Sequence, residues 1–297
     1  MQLRLNWTMT GALIDRFRAE WARRAPEVSY CNPDDPLVRQ MAIRAIERVT
    51  GQPRLQRMYS EYRRLRREDD DFWQSAIDWL RLTIRYDSHR LGGIPAEGPL
   101  IVVANHPFGV LDGIAVGYIT SQVRKDFKLL AHATLGRADA LRPYLIPIAF
   151  DGDSSAVRAN VESKRAALRH LDEGGAIVIF PAGRVSTAPK VLGRAVDAPW
   201  KLFAGKLIAS SQATVVPMYF EGQNGLLFHL VSKFSEALRE ALLMREVAKR
   251  IGADVTAHIG APIPFADLMP CSDRQSLIDH LREMVYGLDP SRRTLAA

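Results

Sequence analysis

A histidine and an aspartate lie close together in residues 105–113, which read Asn-His-Pro-Phe-Gly-Val-Leu-Asp-Gly. The imidazole of His106 titrates near neutral pH, so it can act as a general base, and the carboxylate of Asp112 can fix its orientation and tautomer. Two alternatives without a catalytic role are also open for these residues. A loop histidine is often only a polar residue, and an aspartate before a helix is a common N-cap. The segment therefore predicts either a catalytic pair or a structural one.

The segments that flank this loop predict how it is held. Residues 100–104 form a short apolar run with β-branched side chains, which is typical of a strand buried on both faces. Residues 113–119 predict the first turns of a helix. The histidine and the aspartate are therefore expected on a strand-to-helix loop, where open α/β sheets usually bind their ligands.

A second polar loop follows another strong strand signal. Residues 180–186 read Phe-Pro-Ala-Gly-Arg-Val-Ser and come directly after the apolar run of residues 176–180. The carboxyl ends of parallel strands meet at one edge of a sheet. We therefore expect the two loops to converge on one site.

The rest of the chain predicts an α/β fold with a mostly parallel sheet flanked by helices, because strands and helices alternate regularly. Further strands are predicted at residues 128–132, 144–150, 214–220 and 254–259, the last of which is expected to close the sheet. Further helices are predicted at residues 156–171, 200–211 and 234–250. Turn-rich residues 91–99 separate a helical amino-terminal region, residues 1–90, from the α/β domain, residues 91–297.

The amino-terminal region contains an arginine-rich amphipathic pattern at residues 54–67, followed by a predicted helix at residues 72–84. Six arginines accompany a single acid, Glu61, and the apolar positions follow helical spacing at Leu55, Met58, Tyr59, Tyr62 and Leu65. Either the apolar stripe packs on the main domain and the arginines are solvated, or this helix contacts an anionic membrane surface. The sequence leaves both alternatives open.

Composition narrows the class of protein. The chain has 297 residues, of which 47% are hydrophobic and 25% charged, as in folded domains. Its net charge of +7 favours anionic partners such as phospholipid headgroups, nucleic acid or an acidic carrier protein. Its two cysteines, Cys31 and Cys271, do not indicate a disulfide framework and favour a reducing compartment.

Membrane contact is expected only from the surface. No apolar run in the sequence approaches the roughly 20 residues of a membrane span, and residues 1–14 lack the cleavage site of a signal peptide. We therefore expect a cytoplasmic protein that binds peripherally to the inner face of the cell membrane.

Together these motifs resemble the PlsC-like glycerolipid acyltransferase family. That family carries an N-H-x4-D loop, an F-P-E-G-T-R-S loop and a V-V-P strand end. The counterparts here are residues 105–112, residues 180–186 and residues 215–217, in the same order and with similar spacing. The resemblance covers roughly residues 94–264.

One branch of that family is a closer match. It is often labelled hemolysin and includes acyltransferases of ornithine lipids and related aminolipids. Its motifs look like N-H-P-F-G-x-L-D-G, F-P-A-G-x-V-S and V-P-x-Y-F-x-G-x-N, which correspond here to residues 105–113, 180–186 and 216–224. The arginine-rich amino-terminal helices also resemble this branch, so the similarity extends over nearly the whole chain.

Three departures from the wider family bear on the acceptor. Five residues separate His106 from Asp112 instead of four, and Gly109 can accommodate the longer loop. Ala182 stands at the family's glutamate position, and Arg184 precedes the usual arginine position, which Val185 fills. In the family that arginine is tied to the phosphate of lysophosphatidate. Its displacement favours an aminolipid acceptor such as lyso-ornithine lipid, with 1-acylglycerol-3-phosphate O-acyltransferase activity as the alternative.

The resemblance implies acyl transfer from a thioester, carried by acyl carrier protein or coenzyme A, to the hydroxyl of a lyso-lipid. His106 would take the hydroxyl proton and Asp112 would stabilise the imidazolium, without a metal or a bound cofactor. Backbone N–H groups of the Gly183 loop are expected to bind the oxyanion. The substrate contacts that the resemblance implies are Asn105, Phe108, Gly109, Pro181, Gly183, Arg184, Ser186 and Pro217.

Some of these assignments carry alternatives. Arg184 either holds an anionic part of a substrate or makes a surface ion pair. Ser186 is either a turn cap or a substrate contact, and Pro217 is expected to shape the pocket floor. His132, His229 and His258 lack motif partners and are expected to be structural.

The sequence lacks the motifs of two other classes of function. The sequence contains no recognised nucleic-acid module, so no nucleic-acid partner is predicted. It contains no G-x-S-x-G motif, which an esterase on a similar scaffold would need. A peripheral lipid-binding protein without catalysis remains as the alternative of another class.

Overall fold

The computed structural model describes residues 27–29, 31, 36–67, 70–148, 154–190, 192–271 and 273–293. Side chains are described for all of these except residues 154–157, 236, 237 and 293. Residues 1–14, where the sequence predicts no signal peptide, lie outside this part of the chain, as do residues 149 and 150 of the strand predicted at residues 144–150.

Helices and strands alternate through most of the described chain. The helices are α1 (Leu37–Val49), α2 (Gln52–Leu65), α3 (Phe72–Leu80), α4 (Ser88–Gly92), α5 (Val110–Ser121), α6 (Ser154–Asp172), α7 (Leu202–Ser211), α8 (Leu226–Val231), α9 (Glu236–Lys249), α10 (Phe265–Leu268), α11 (Arg274–Gly287) and α12 (Pro290–Arg293). The strands are β1 (Thr83–Arg85), β2 (Leu100–Ala104), β3 (Lys128–His132), β4 (Leu145–Ile148), β5 (Ala176–Ile179), β6 (Thr214–Phe220) and β7 (Asp254–Ile259). Two short 3₁₀ helices, Ala133–Arg137 and Arg142–Tyr144, connect β3 to β4.

These strands form one sheet in the order β1-β7-β6-β2-β5-β3-β4. All neighbouring strands run parallel except β6 and β7, which are antiparallel. The central strand β2 is buried along its whole length, as its unbroken apolar sequence predicts. The predicted α/β fold with a mostly parallel sheet flanked by helices is therefore confirmed.

The sheet separates two apolar cores. Along β2, Ile101 and Val103 contact the first core, which α6, α7 and α11 cover, while Leu100 and Val102 contact the second. Helices α3 and α5 cover the second core, where Trp73 occupies a notch at Gly117. A Cβ atom at Gly117 would lie 2.2 Å from the indole ring, so only glycine fits there.

A third apolar cluster joins the amino-terminal helices to the loops that follow β2 and β5. It contains Leu55 of α2 and Ile77 of α3, together with Phe108, Val185 and four residues of α9, Leu242, Leu243, Met244 and Val247. Burying an aliphatic or aromatic side chain of this size stabilises a fold by about 1.5–3 kcal/mol. The amino-terminal helices therefore help to fix the position of both loops.

Most of the apolar stripe of α2 packs on the domain, as one alternative from the sequence predicts, but Leu65 is exposed, and contact with a membrane surface stays a prediction. Leu55 and Tyr62 are buried, and Met58 and Tyr59 pack against the same clusters. The six arginines of residues 54–67 are all exposed. No helix in the described parts of the chain combines the length and the apolar character that crossing a membrane requires.

The sequence reading was wrong about the end of α3 and the edge of the sheet. A helix was predicted over residues 72–84, but it ends at Leu80, because Arg81 adopts a left-handed conformation. Residues 83–85 then form β1, which pairs with β7, so β1 and not β7 is the edge strand. The division into residues 1–90 and 91–297 stays a prediction, although β1 joins the sheet from the amino-terminal side of it.

Candidate active site

The two polar loops meet at the carboxyl ends of the neighbouring strands β2 and β5. The backbone N–H of Ser186 donates a 2.8 Å hydrogen bond to the carbonyl of His106. The His106 ring also stacks on Phe180, with 3.9 Å between ring centroids and 19° between planes. The structure thus brings the loops together as the parallel order of the strands predicts.

His106 and Asp112 are hydrogen-bonded side chain to side chain. The distance from His106 Nδ1 to Asp112 Oδ2 is 3.0 Å. The same Oδ2 accepts the backbone N–H groups of Phe108 at 2.7 Å and Gly109 at 2.9 Å. Helix α5 begins at Val110, earlier than predicted, and its N-cap is Gly109. Asp112 is therefore the third residue of the helix and not its N-cap, and it lies where the helix dipole favours a negative charge.

Asp112 is completely buried, and this sets its electrostatics. Burial raises the pKa of the Asp112 carboxyl group, while the hydrogen bonds from His106, Phe108 and Gly109 oppose that rise. The second carboxylate oxygen, Oδ1, is buried and accepts no hydrogen bond from any described residue. All of the hydrogen bonds that the Asp112 carboxylate accepts from described residues therefore go to one oxygen, Oδ2.

Gly109 allows the turn that brings the carboxylate to the histidine. Its φ of +87° is a conformation that residues with side chains rarely adopt. A Cβ atom there would also lie 3.0 Å from the Leu243 side chain and 3.2 Å from that of Val185. The loop with five intervening residues is therefore accommodated at Gly109, as the sequence suggested.

His106 lines a cavity of about 250 Å³ at the end of the sheet. Its side chain is 17% exposed, and its Nε2 atom has no hydrogen-bond partner in the described chain. The inner wall is apolar and includes Trp73, Leu129, Leu130, Leu141 and Leu145. The charged residues that line the cavity are Arg39, Arg184, Arg239 and Glu240.

A second cavity adjoins the first and is almost entirely apolar. It has a volume of about 150 Å³ and lies between α2, α3 and the end of α9. Four residues line both cavities and form their shared wall, namely Val110, Ile114, Leu135 and Leu141. Other lining residues include Met58, Tyr59, Phe72, Ala76 and Met244. The apolar stripe of α2 therefore supplies one side of this space.

Only part of the predicted substrate-contact set lines the 250 Å³ cavity. Gly109, Gly183 and Arg184 do so, but Asn105, Phe108, Pro181, Ser186 and Pro217 are buried elsewhere. The Asn105 amide exchanges two hydrogen bonds with the backbone of Phe220, at 2.9 Å and 2.7 Å, and so joins the ends of β2 and β6. The Phe108 ring lies 4.0 Å from the Arg250 guanidinium carbon. These contacts make Asn105 and Phe108 supports of the loop.

Arg184 is exposed at the cavity and makes no ion pair with a described residue. The ion-pair alternative from the sequence therefore has no partner in the described chain. Gly183 has a φ of +67°, and its N–H donates to the carbonyl of Phe180 at 2.9 Å. The next two N–H groups, of Arg184 and Val185, find no acceptor among the described residues, and both residues line the cavity.

The other histidines singled out in the sequence make local contacts. His132 accepts the N–H of Thr134 at 3.2 Å, and the buried His229 accepts the N–H of Ala188 at 3.3 Å. Burial lowers the pKa of His229. His258 contacts the Glu221 side chain. The contacts of His229 and His258 agree with the structural roles expected for them. His132 also lines the 250 Å³ cavity, so its structural role stays a prediction.

Sequence reasoning missed Asp197. This buried carboxylate accepts the backbone N–H of His106 at 3.2 Å, the hydroxyl of Ser186 and the indole N–H of Trp200 at 2.9 Å. The signal that was available is an acid three residues before a tryptophan, in an otherwise weakly patterned connection between β5 and α7. The hydroxyl of Ser186 therefore bonds to a carboxylate and is turned away from the cavity.

Comparisons with known proteins identify a family model and several proteins that are similar to this chain. A family model described as Acyltransferase matches residues 65–292, a span that includes both loops. Two relatives named lyso-glycine lipid O-acyltransferase, from Phocaeicola vulgatus and Bacteroides thetaiotaomicron, are 29% and 26% identical over 227 residues. Each alignment covers 73% of this chain, and they cover 77% and 79% of the respective relatives. The crystal structure of the 1-acyl-sn-glycerophosphate acyltransferase PlsC from Thermotoga maritima aligns over 93% of this chain and 87% of that chain, with 16% identity and a TM-score of 0.46.

Proposed function

The chain belongs to the acyltransferase family, and from that premise we propose that it transfers a fatty acyl chain from a thioester to the hydroxyl of a lyso-lipid. One observation carries the proposal. The Nδ1 atom of His106 is held by the buried Asp112, while its Nε2 atom is free in a cavity with an apolar wall. A base held in this way can accept a proton from a hydroxyl bound in the cavity.

In the proposed reaction, His106 Nε2 takes the proton of the acceptor hydroxyl as the hydroxyl oxygen attacks the thioester carbonyl carbon. The imidazolium that forms is stabilised by the Asp112 carboxylate, to which it donates through Nδ1. The tetrahedral intermediate then expels the thiolate, which takes the proton from the imidazolium. The products are an ester and a free thiol, and His106 returns to its neutral state.

The oxyanion of the tetrahedral intermediate needs hydrogen-bond donors. The N–H groups of Arg184 and Val185 are assigned this role, because they follow the tight turn at Gly183 and have no acceptor among the described residues. Donors that are fixed before the reaction stabilise developing charge without reorganisation.

The 150 Å³ cavity is assigned to an acyl chain. Its lining is apolar, and it shares the wall of Val110, Ile114, Leu135 and Leu141 with the cavity that contains His106. A fatty acyl chain gains about 0.8 kcal/mol for each CH₂ group that it buries. The thioester carbonyl then lies near His106 while the chain extends between α2 and α3.

The acceptor is assigned as a lyso-aminolipid whose headgroup carries a free carboxylate, such as lyso-ornithine or lyso-glycine lipid. Arg184 is exposed at the cavity and makes no ion pair with a described residue. Its guanidinium suits a carboxylate, which an arginine can bind through two parallel hydrogen bonds. Both curated relatives are named for a lyso-glycine lipid.

The protein is proposed to act at the inner face of the cell membrane, where its lipid acceptor resides. Two surface features support peripheral binding. The arginines of α2 are exposed, and each basic residue near an anionic bilayer contributes about 1 kcal/mol. In addition, α8 and the turn after it expose Leu226, Leu227, Leu230 and Phe234, beside Lys233, whose ammonium donates to the carbonyl of Pro189.

The function is tested with purified protein, an acyl thioester on coenzyme A or on acyl carrier protein, and a panel of lyso-lipids. Release of thiol that requires the lyso-lipid is the expected result, with the acylated lipid identified by mass spectrometry. Thiol release without a lyso-lipid would indicate a hydrolase, and no release with either carrier would indicate a binding protein. A higher kcat/KM for lysophosphatidate than for the two aminolipids would overturn the acceptor assignment.

A further inference from the structure

We infer that Asp197 is a positioning residue for acyl transfer, because its carboxylate fixes the backbone of His106 against the second loop. The inference rests on the proposed function, since the reaction whose rate it concerns is acyl transfer. Asp197 does not line the cavity and contacts His106 at its backbone N–H, so it acts through His106 and not on the substrate.

The contacts of His106 with the second loop form a closed arrangement. Asp197 Oδ1 accepts the N–H of His106 at 3.2 Å and the hydroxyl of Ser186. The N–H of Ser186 in turn donates to the carbonyl of His106 at 2.8 Å. Both polar groups of the His106 backbone are therefore bound, one directly to Ser186 and the other through the carboxylate.

Asp197 is held in place by residues that do not line the cavity. Its Oδ2 atom accepts the indole N–H of Trp200 at 2.9 Å, and its own N–H donates to the Tyr286 hydroxyl at 2.8 Å. The Arg282 guanidinium donates to its carbonyl at 3.2 Å. Tyr286 and Arg282 both belong to α11, so the position of His106 is coupled to a helix that covers the other face of the sheet.

The residue type follows from the donors that surround it. Three groups donate to this carboxylate, and none of its described side-chain contacts is an acceptor. An ionised carboxylate offers only acceptor sites, whereas an asparagine in its place would turn an NH₂ group toward one donor. If the amide oxygen keeps His106 and Ser186, its NH₂ group opposes the indole N–H of Trp200.

The clash between the NH₂ group that Asp197→Asn introduces and the indole N–H of Trp200 can be relieved by a second substitution, which provides a test. Asp197→Ala is expected to lower kcat by about 10- to 100-fold at saturating acceptor, with KM changed by less than about threefold, because misplacing a base by about 1 Å has effects of that size. Asp197→Asn is expected to lower kcat as well. Adding Trp200→Phe to Asp197→Asn removes the opposing donor, and kcat should return to the level of Trp200→Phe alone.

A variant in the apolar core is the control that distinguishes a general loss of protein stability from a displacement of His106. Leu207→Ala on α7 creates a cavity in the first core at a residue that lines neither pocket, and it should lower the Tm without lowering kcat below its melting range. The same kcat in Asp197→Ala and Asp197→Asn as in the wild type would overturn the inference, as would failure of Trp200→Phe to rescue. If Asp197→Ala does not fold, the inference is tested by comparing the kcat of Asp197→Asn with that of the double variant Asp197→Asn, Trp200→Phe. A wild type without lyso-lipid-dependent transfer defeats the proposed function instead, so the two failures are distinguishable.

Discussion

The imidazole of His106 lies flat on the ring of Phe180, with 3.9 Å between the two centroids. The two residues follow neighbouring strands, β2 and β5, so the stacking depends on the parallel pairing of those strands. It covers one face of the imidazole and restricts its rotation. In the orientation that the stacking permits, the Nδ1 atom of His106 bonds to Asp112 and its Nε2 atom faces the cavity.

Replacing Phe180 with leucine should therefore lower kcat more than KM. Leu keeps an apolar side chain but has no flat face, and aromatic pairs contribute about 0.5–1.5 kcal/mol, so we expect a loss of roughly 2- to 10-fold. Phe180→Tyr is the matched control and should keep the wild-type kcat. Steady-state kinetics of both variants provide the measurement, and equal rates for leucine and tyrosine would contradict the role given to the ring.

His106→Ala should reduce acyl transfer by about 10²–10⁴-fold, the usual contribution of a general base. The fold should persist, because the backbone of His106 keeps its bonds to Ser186 and Asp197. Thiol release measures the first effect and circular dichroism the second. Substantial transfer by a folded His106→Ala protein would remove His106 from the mechanism.

Asp112→Asn should also lose most activity, although its geometry can be preserved. The amide oxygen can replace Oδ2 and keep the bonds from Phe108 and Gly109, with the NH₂ group at the unpartnered Oδ1 position. What is lost is the negative charge opposite the imidazolium, so kcat should fall while KM stays similar. A rate near that of the wild type would leave Asp112 as a support of the helix start.

The same variant has a stability signature that depends on pH. Burial raises the pKa of Asp112, so the folded state binds this proton more tightly than the unfolded state does. The stability that the carboxyl group contributes is therefore present below about pH 4 and is lost as the pH rises through its folded pKa. The Tm of Asp112→Asn minus that of the wild type should increase with pH over this window, and a difference independent of pH would contradict the assigned burial effect.

Arg184→Ala should raise KM for a carboxylate-bearing acceptor. A hydrogen bond to a charged group contributes about 1.5–3 kcal/mol, so kcat/KM should fall by roughly 10- to 100-fold with lyso-glycine and lyso-ornithine lipids. Arg184→Lys keeps the charge but not the paired donors and should be intermediate. A clear preference for lysophosphatidate that disappears in Arg184→Ala would show that this arginine serves a phosphate instead.

Membrane binding should weaken with salt and depend on identified residues. Sedimentation with anionic vesicles should decrease between low and high salt, because screening shortens the reach of the α2 arginines. A triple glutamine variant at the exposed Arg54, Arg57 and Arg64 should reduce binding to anionic vesicles. A triple serine variant at Leu227, Leu230 and Phe234, in α8 and the turn after it, should reduce binding to both anionic and neutral vesicles if this apolar surface contacts the bilayer. Equal binding of wild type to neutral and anionic vesicles would count against an electrostatic contact.

Much of the fold follows from short-range sequence patterns. The strands at residues 214–220 and 254–259 have the predicted bounds. The first is an apolar run, and the second alternates polar and apolar residues between Gly252 and Gly260. β1 was missed because three residues with exposed, intermediate and exposed side chains carry no apolar pattern. Only pairing with β7, about 170 residues further on, makes that segment a strand.

Part of the candidate site was also predictable from short-range sequence patterns. The two loops could be placed together, because they follow runs that predict adjacent parallel strands. Asp197 was not recognisable, since its role depends on donors from residues 106, 186 and 200 that only the tertiary structure brings together. Conversely, Asn105 and Ser186 have the polar character of substrate contacts, but in the fold they bond to Phe220 and Asp197.

The central place of β2 has a consequence for synthesis on the ribosome. Leu100 pairs with Ala176 on one side and Thr214 on the other, so both neighbours of β2 are translated long after it. Until residue 220 has left the exit tunnel, the strand that precedes His106 lacks at least one of its two neighbours and is an incompletely paired apolar segment, of the kind that aggregates or recruits chaperones. Nascent chains stalled before β6 should therefore be captured by chaperones, and chains released after β7 should not.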